Sequence, residues 1–251
     1  MTSGLQSPQS TPSSFRQMFR PPKRTKYFDL SESITGYSLE MGYDENGKRY
    51  YVTPEGNKYS SVTTILSTLN ADAIENWKKN VGEARAEEIR KLASARGTNI
   101  HKVAERYLLN EDNYDENIMP FNRVMFDQIR PYLDQHCDKV YANEIALYSD
   151  KLKTAGRCDL IARVHNIRTI VDFKTSKKFK KEDHILSYFY QATAYALMLH
   201  ERTKIWCPQI CLLIATEEDD LQVFLKQTNS YVHRVEDFFD YYHESNRQNV
   251  C

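Results

Sequence analysis

Gly156-Arg157-Cys158-Asp159-Leu160-Ile161-Ala162, followed by Thr169-Ile170-Val171-Asp172-Phe173-Lys174, decides the fold of this chain. The runs Leu160–Ala162 and Thr169–Val171 are apolar or β-branched, which marks two buried strands joined by a turn near His165-Asn166. Side chains two apart on a strand share a face, so Asp172 and Lys174 point one way and Phe173 the other. Asp159 lies on the preceding strand and approaches Asp172 across the ladder. Isolated D-x-K triplets are common and mostly mark solvated strand edges. Here both acids emerge from buried strands, where a charge is costly unless it is paired or bound to metal. Two carboxylates able to hold a hard divalent cation, beside a lysine that helps water attack a phosphate, suit metal-dependent phosphodiester hydrolysis.

Two further segments fit the same chemistry. Arg96-Gly97-Thr98-Asn99-Ile100-His101 leads into an apolar helical run. Gly97 is expected to break one helix and Thr98 to cap the next, which puts His101 and Glu105 one turn apart on one face. Gln191 and Tyr195 have the same spacing on a later helix. Singly, such a histidine or Gln/Tyr pair is more often a packing feature; the four segments in this order carry the argument.

The rest of the chain reads as alternating elements. A hairpin is expected at 49–52 and 57–59, with helix from Ser60 or Ser61 onward, through Trp77 and from Gly82 to Ser94, and again over 120–136. Strands follow at about 139–148, 155–164 and 168–175, then helix over 184–201, strands at 205–215 and 221–226, and a closing helix over 232–246. Helices before and after a mixed central sheet give an α/β sandwich, with no internal repeat and no second domain.

The order G-x-x-x-H, G-x-x-D, D-x-K, Q-x-x-x-Y resembles the RecB-like branch of the PD-(D/E)XK nuclease superfamily. Tyr59-Ser60-Ser61-Val62-Thr63-Thr64-Ile65-Leu66-Ser67, Trp77, Ala95-Arg96-Gly97-Thr98 and Glu144-Ile145-Ala146-Leu147-Tyr148-Ser149 narrow the likeness to compact exonucleases of tailed phages and a mitochondrial genome maintenance exonuclease. It spans roughly Tyr27 to Asp240. The resemblance implies a restriction-endonuclease-like α/β core, a mixed central β-sheet flanked by helices, with additional N-terminal helices covering the active site. It implies Mg²⁺, with Mn²⁺ as a substitute, held by Asp159, Asp172 and the Phe173 carbonyl, with His101 completing the metal environment. Lys174 orients or activates the attacking water. Gln191 and Tyr195 position the site or the DNA, and Ser61, Trp77, Thr98, Thr175, Ser176 and Lys177 are candidates for contacting DNA. Glu105 and Glu144 stand in a second rank. The implied substrate is DNA, preferably single-stranded with free ends, in replication, recombination or repair, and the protein is expected to be a monomer. A structure-selective endonuclease and a non-catalytic DNA-binding recombination scaffold remain alternatives. Some RecB-like nucleases hold an iron–sulfur cluster with one cysteine ahead of the core and three behind it. The five cysteines here, Cys137, Cys158, Cys207, Cys211 and Cys251, include none ahead of the core, so no cluster is expected and the thiols read as reduced and mostly buried.

Composition sets the remaining bounds. At 251 residues the chain can bury one substantial core, and 41% hydrophobic with 27% charged residues is ordinary for a globular protein. The 34 basic and 34 acidic residues cancel, so any nucleic-acid contact must rest on local charge. Lys174, Lys177, Lys178, Lys180 and Lys181 supply such a cluster directly after the D-x-K strand, read as a lip that guides phosphates. Residues 1–28 contain five Lys/Arg and no Asp or Glu, and they are rich in Ser, Pro and Gln. They are expected to be a disordered basic tail ahead of a single nuclease domain over 29–251. No stretch is apolar enough to span a membrane. The expected setting is intracellular: a phage-infected bacterial cytoplasm, or alternatively a mitochondrial matrix, for which the acid-free tail also suits a transit peptide.

Overall fold

The computed structural model describes Arg24, residues 26–218 and residues 220–248. Most of the expected tail, and Cys251, lie outside these residues. Of the tail's last residues, Phe28 is buried against Tyr107, and the Arg24 guanidinium lies 4.2 Å from the centre of the Tyr107 ring and donates to its carbonyl at 2.7 Å.

Among the described residues, eight strands form one mixed sheet: β1 (Glu40–Tyr43), β2 (Arg49–Val52), β3 (Lys58–Ser61), β4 (Cys137–Ser149), β5 (Thr154–Val164), β6 (Ile167–Ser176), β7 (Gln209–Thr216) and β8 (Leu221–Gln227). The helices are α1 (Val62–Leu66), α2 (Ala71–Val81), α3 (Glu83–Leu108), α4 (Pro120–His136), α5 (Leu186–Thr203) and α6 (Val232–Gln248). The strand order is β1-β2-β3-β5-β6-β7-β8, with β4 paired to β5. β5 to β6 is the tight hairpin that the sequence suggests, with His165 and Asn166 both at positive φ in its turn. β6 and β7 run parallel because α5 crosses between them.

Strand alternation sends side chains to two cores. Ile161, Ile170, Leu212 and Ile214 pack with α1, α5 and α6 on one face. Leu160, Val171, Phe173 and Leu213 pack with α3 and α4 on the other. The outer edge of β4 is not left bare. Residues 29–37 run along it, with Asp29 N–H donating to the Asp138 carbonyl at 2.9 Å, Ile34 N–H to Tyr141 at 2.7 Å and Tyr37 N–H to Ala146 at 3.0 Å.

One expectation is corrected. α3 runs unbroken through Gly97 and Thr98. Thr98 does not cap a helix; its hydroxyl donates backward to the Ser94 carbonyl at 3.1 Å. The local breaker signals are overridden because the apolar face that begins at Ile100 seats the helix on the sheet and carries the turns before it. β1, which pairs with β2, is a strand that the sequence does not announce.

Candidate active site

The site forms where the sheet forks. β5 and β6 are paired from Val164↔Ile167 to Leu160↔Val171, and their pairing stops one residue short of Asp159 and Asp172. β6 continues alongside β7 to Ser176, while the beginning of β5 pairs instead with β3 at Thr154 and Ala155. The two aspartates therefore sit in the crotch of the fork, near the carboxyl ends of parallel strands, where α/β sheets commonly bind ligands. Beyond the last ladder pair, the Asp159 carboxylate takes over from the backbone and accepts the Phe173 N–H at 2.8 Å.

α3 brings His101 against this fork. The His101 Nε2 lies 3.0 Å from the Phe173 carbonyl. Its Nδ1 lies 3.4 Å from Asp159 Oδ1 and 3.4 Å from Glu144 Oε1. One ligand atom each from His101, Glu144 and Asp159 fall within 4.8 Å of one another. Glu144 reaches this group from a strained position in β4. Its φ is +50°, a left-handed conformation that is rare for a residue with a side chain and often marks functional sites. The neighbouring pairs Asn143↔Leu160 and Ile145↔Cys158 place Glu144 across from Asp159.

Asp172 lies outside that three-residue group. It is 1% exposed and in ion-pair contact with Lys174, yet neither of its carboxylate oxygens accepts a well-aligned hydrogen bond from the described residues. The Lys174 ammonium lies between Asp172 and the face of Tyr188, 5.2 Å from the ring centre.

Charge in this small volume is out of balance. Burial pushes the Asp172 carboxyl up to about 6, only partly offset by Lys174. Burial also acts on Asp159, but the His101 charge prevails and holds it below its ordinary value. For His101, burial favours the neutral ring, and the Asp159 carboxylate outweighs it, so the imidazole is pushed up to about 10. The Asp159 carboxylate thus keeps a proton on His101, and burial favours the protonated form of Asp172 despite Lys174. Buried carboxylate oxygens without aligned donors, together with an imidazole nitrogen, fit a divalent metal ion.

The cleft over the fork has two lobes that share His101, Glu144 and Arg157. One, of about 460 Å³, also takes in Asp159, Lys174, Gln191 and Tyr195; the other, of about 360 Å³, takes in Thr98, Lys102 and Glu105. Gln191 and Tyr195 thus line the same lobe as Asp159, although both are buried. Tyr195 has a further relation to the G-x-x-D segment. A Cβ on Gly156 would stand 2.9 Å from the Tyr195 hydroxyl oxygen and 3.1 Å from its Cε1, so the glycine is the seat of the tyrosine ring.

Other candidates are placed elsewhere. The buried Ser61 caps α1, its hydroxyl accepting the Thr64 N–H at 3.1 Å. Ser176 is buried and donates to the Lys178 carbonyl at 2.6 Å. Thr175 accepts from Arg96 Nε at 3.3 Å. Trp77 lies with Ile74, Ala86 and Ile89 in a groove between α2 and α3, away from the aspartates. Lys177 is exposed on the loop after β6. Arg157, Arg49 and Tyr188 were not singled out from the sequence. Arg157 carries a legible signal, being two residues before Asp159 on the same strand, and Tyr188 is three before Gln191 on the same helix.

A mixed sheet flanked by helices that gathers imidazole, carboxylates and lysine at a fork between strands describes a nuclease core. A model of the PD-(D/E)XK nuclease superfamily matches residues 77–209, more than half of the chain, and the protein belongs to that superfamily. Among solved structures, a candidate exonuclease from Eubacterium rectale is 12% identical with a TM-score of 0.39, over 59% of this chain and 66% of that one. A phage-related exonuclease from Haemophilus somnus is 12% identical with a TM-score of 0.31, over 61% of this chain and 83% of that one. No curated protein matches the chain. No described helix is long and apolar enough to cross a membrane.

Proposed function

We propose that the protein is a metal-dependent DNA exonuclease that prefers single strands with free ends and serves DNA replication, recombination or repair. The observation that carries the metal-dependent reading is the approach of His101, Glu144 and Asp159 to within 4.8 Å beside the Asp172–Lys174 pair. In this reading His101 Nδ1, Glu144 and Asp159 would hold the ion, with the buried Asp172–Lys174 pair beside them. Mg²⁺ or Mn²⁺, when bound, supplies a Lewis acid that polarises the phosphate and lowers the pKa of bound water. Lys174, steered by Asp172 and Tyr188, orients the attacking water and stabilises charge on the phosphate. The contact between His101 Nε2 and the Phe173 carbonyl fixes the ring so that Nδ1 faces the carboxylates. Gln191 and Tyr195 wall the cleft and hold the β5 side of the fork, and Arg157, Lys102 and Arg49 meet the phosphates along it.

The preference for a single strand rests on α2 and α3. This helical pair is tied at both ends to the surroundings of Lys174. Asn70 donates to Ser187 at 3.4 Å, next to Tyr188, and Arg96 reaches both Thr175 and Glu217. Between those ties, residues 71–80 are exposed throughout. A strand with a free end passes such a covering pair more readily than a duplex does.

The test uses linear and circular single-stranded DNA with Mg²⁺, Mn²⁺ or EDTA, for the protein and its Lys174→Ala variant. Loss of the linear strand alone, abolished by EDTA and by the substitution, is the expected result. Cutting of the circle would replace the reading with an endonuclease. Binding without hydrolysis of either would replace it with a scaffold. End labels give the polarity.

A further inference from the structure

The loop that leaves β6, residues 177–181, is firmly anchored, yet it turns its side chains outward. The Ser176 hydroxyl holds the Lys178 carbonyl at 2.6 Å, and Phe179 N–H donates to Glu218 at 3.3 Å. Lys180 is clamped from both sides, its N–H donating to Gln222 Oε1 at 2.7 Å and its carbonyl accepting from Gln222 Nε2 at 2.9 Å. A backbone held at four points does not wander, so the exposure of its side chains is a fixed feature.

Lys177, Lys178, Lys180 and Lys181 are all exposed, and none forms an ion pair among the described residues. Three of the nearby acids are already engaged: Glu217 with Arg96, Glu218 with the Phe179 N–H, and Glu182 with Lys226 at 2.6 Å. In their midst Phe179 is 49% exposed, with no aromatic neighbour among the described residues. A single exposed apolar side chain is ordinary on a protein surface. An aromatic ring held by an anchored backbone, with two free lysines on each side in sequence, has the composition that binds unpaired nucleotides: a π-face for the base and cations for the phosphates. Five residues of extended chain reach at most about 17 Å, so the ring lies within a few nucleotides of Lys174.

We propose that residues 177–181 are a platform for single-stranded DNA, with Phe179 stacking on one unpaired base and the four lysines contacting the phosphates beside it. The inference rests on the nuclease reading only for the strand's path toward the cleft, and binding can be measured without hydrolysis. Anisotropy of a labelled oligothymidylate, an abasic strand of equal length, an oligouridylate and a duplex, all in EDTA, compares the protein with Phe179→Ala and Phe179→Trp. Phe179→Ala is expected to weaken oligothymidylate binding by about tenfold, as loss of one stacked base does, and Phe179→Trp to restore it. Abasic and duplex affinities should not respond to either change. Lys178→Ala should weaken thymidylate and abasic strands alike and flatten the salt dependence. The proposal is overturned if Phe179→Ala leaves oligothymidylate binding unchanged, if it weakens the abasic strand equally, or if its effect is confined to oligouridylate. Hydrolysis of linear DNA with Mn²⁺ by the unaltered protein is followed in parallel. If that fails while the binding pattern holds, the platform stands and the catalytic reading falls.

Discussion

At the scale of the residue, the site depends on contacts that local sequence only partly announces. Gly156 shows why its segment needs a glycine: a methyl group there would meet the ring of the buried Tyr195. Gly156→Ala should cost about 1–3 kcal/mol, the usual range for overpacking. In a Tyr195→Leu background the penalty should largely vanish, and a double-mutant cycle by urea unfolding measures the coupling. Additive losses would sink the idea. Asp172 gives a prediction in pH. Its folded pKa, about 6, lies above the ordinary 3.8 because burial disfavours the charge. The folded chain therefore holds this proton more tightly than the unfolded chain does. The stability it contributes is complete below about pH 4 and is lost as pH rises through 6. Without metal, unfolding free energy should fall between those pH values for the unaltered protein, and by less for Asp172→Asn. Parallel profiles would remove Asp172 from the account.

At the scale of the element, the strands were the most legible part, and the reason is the chemistry of their flanks. Leu160–Ala162 and Thr169–Val171 fix β5 and β6, and the spacing of their acids fixes where the fork must open. Gln191 and Tyr195 were legible as one helix face for the same reason, because periodicity is a local property. The place of Glu144 beside His101 is not legible in the sequence, because it depends on a backbone at φ +50° opposite Asp159, which no side-chain pattern encodes. Gly97 and Thr98 misled in the other direction, since breaker signals weigh little against the packed face beginning at Ile100. Gly97 then sits inside α3 with open space where its Cβ would be, at the wall of the smaller lobe of the cleft. Gly97→Ala should accordingly stabilise the helix by roughly 0.5–1 kcal/mol, the usual difference between these residues in a helix interior. If that wall contacts the substrate, hydrolysis should slow as stability rises. Urea unfolding and initial rates on linear DNA test the pair of effects. A destabilised variant would show that the glycine is needed by the fold and not by the cleft.

At the scale of the whole molecule, the metal group is assembled only by folding. His101 comes from α3, Glu144 from β4 and Asp159 from β5, so the unfolded chain has no site of comparable geometry. A divalent ion that binds this group must then stabilise the folded state by mass action. It must also displace the proton that His101 carries across neutrality, and near pH 6 the one that Asp172 still partly holds, so its affinity should rise with pH across neutrality. At an ion concentration about a hundred times the Kd, the gain is about 2.7 kcal/mol, which for a chain of this size raises Tm by roughly 5–10 °C. Thermal unfolding in EDTA, Mg²⁺ and Mn²⁺, at pH 6 and pH 8, measures both effects. Asp159→Asn removes a ligand and a charge together, so its Tm starts from its own baseline, and it should not respond to the ion. A rise in Tm that survives Asp159→Asn unchanged would mean that the cation acts elsewhere on the surface, and the fork would lose its claim to be the metal site.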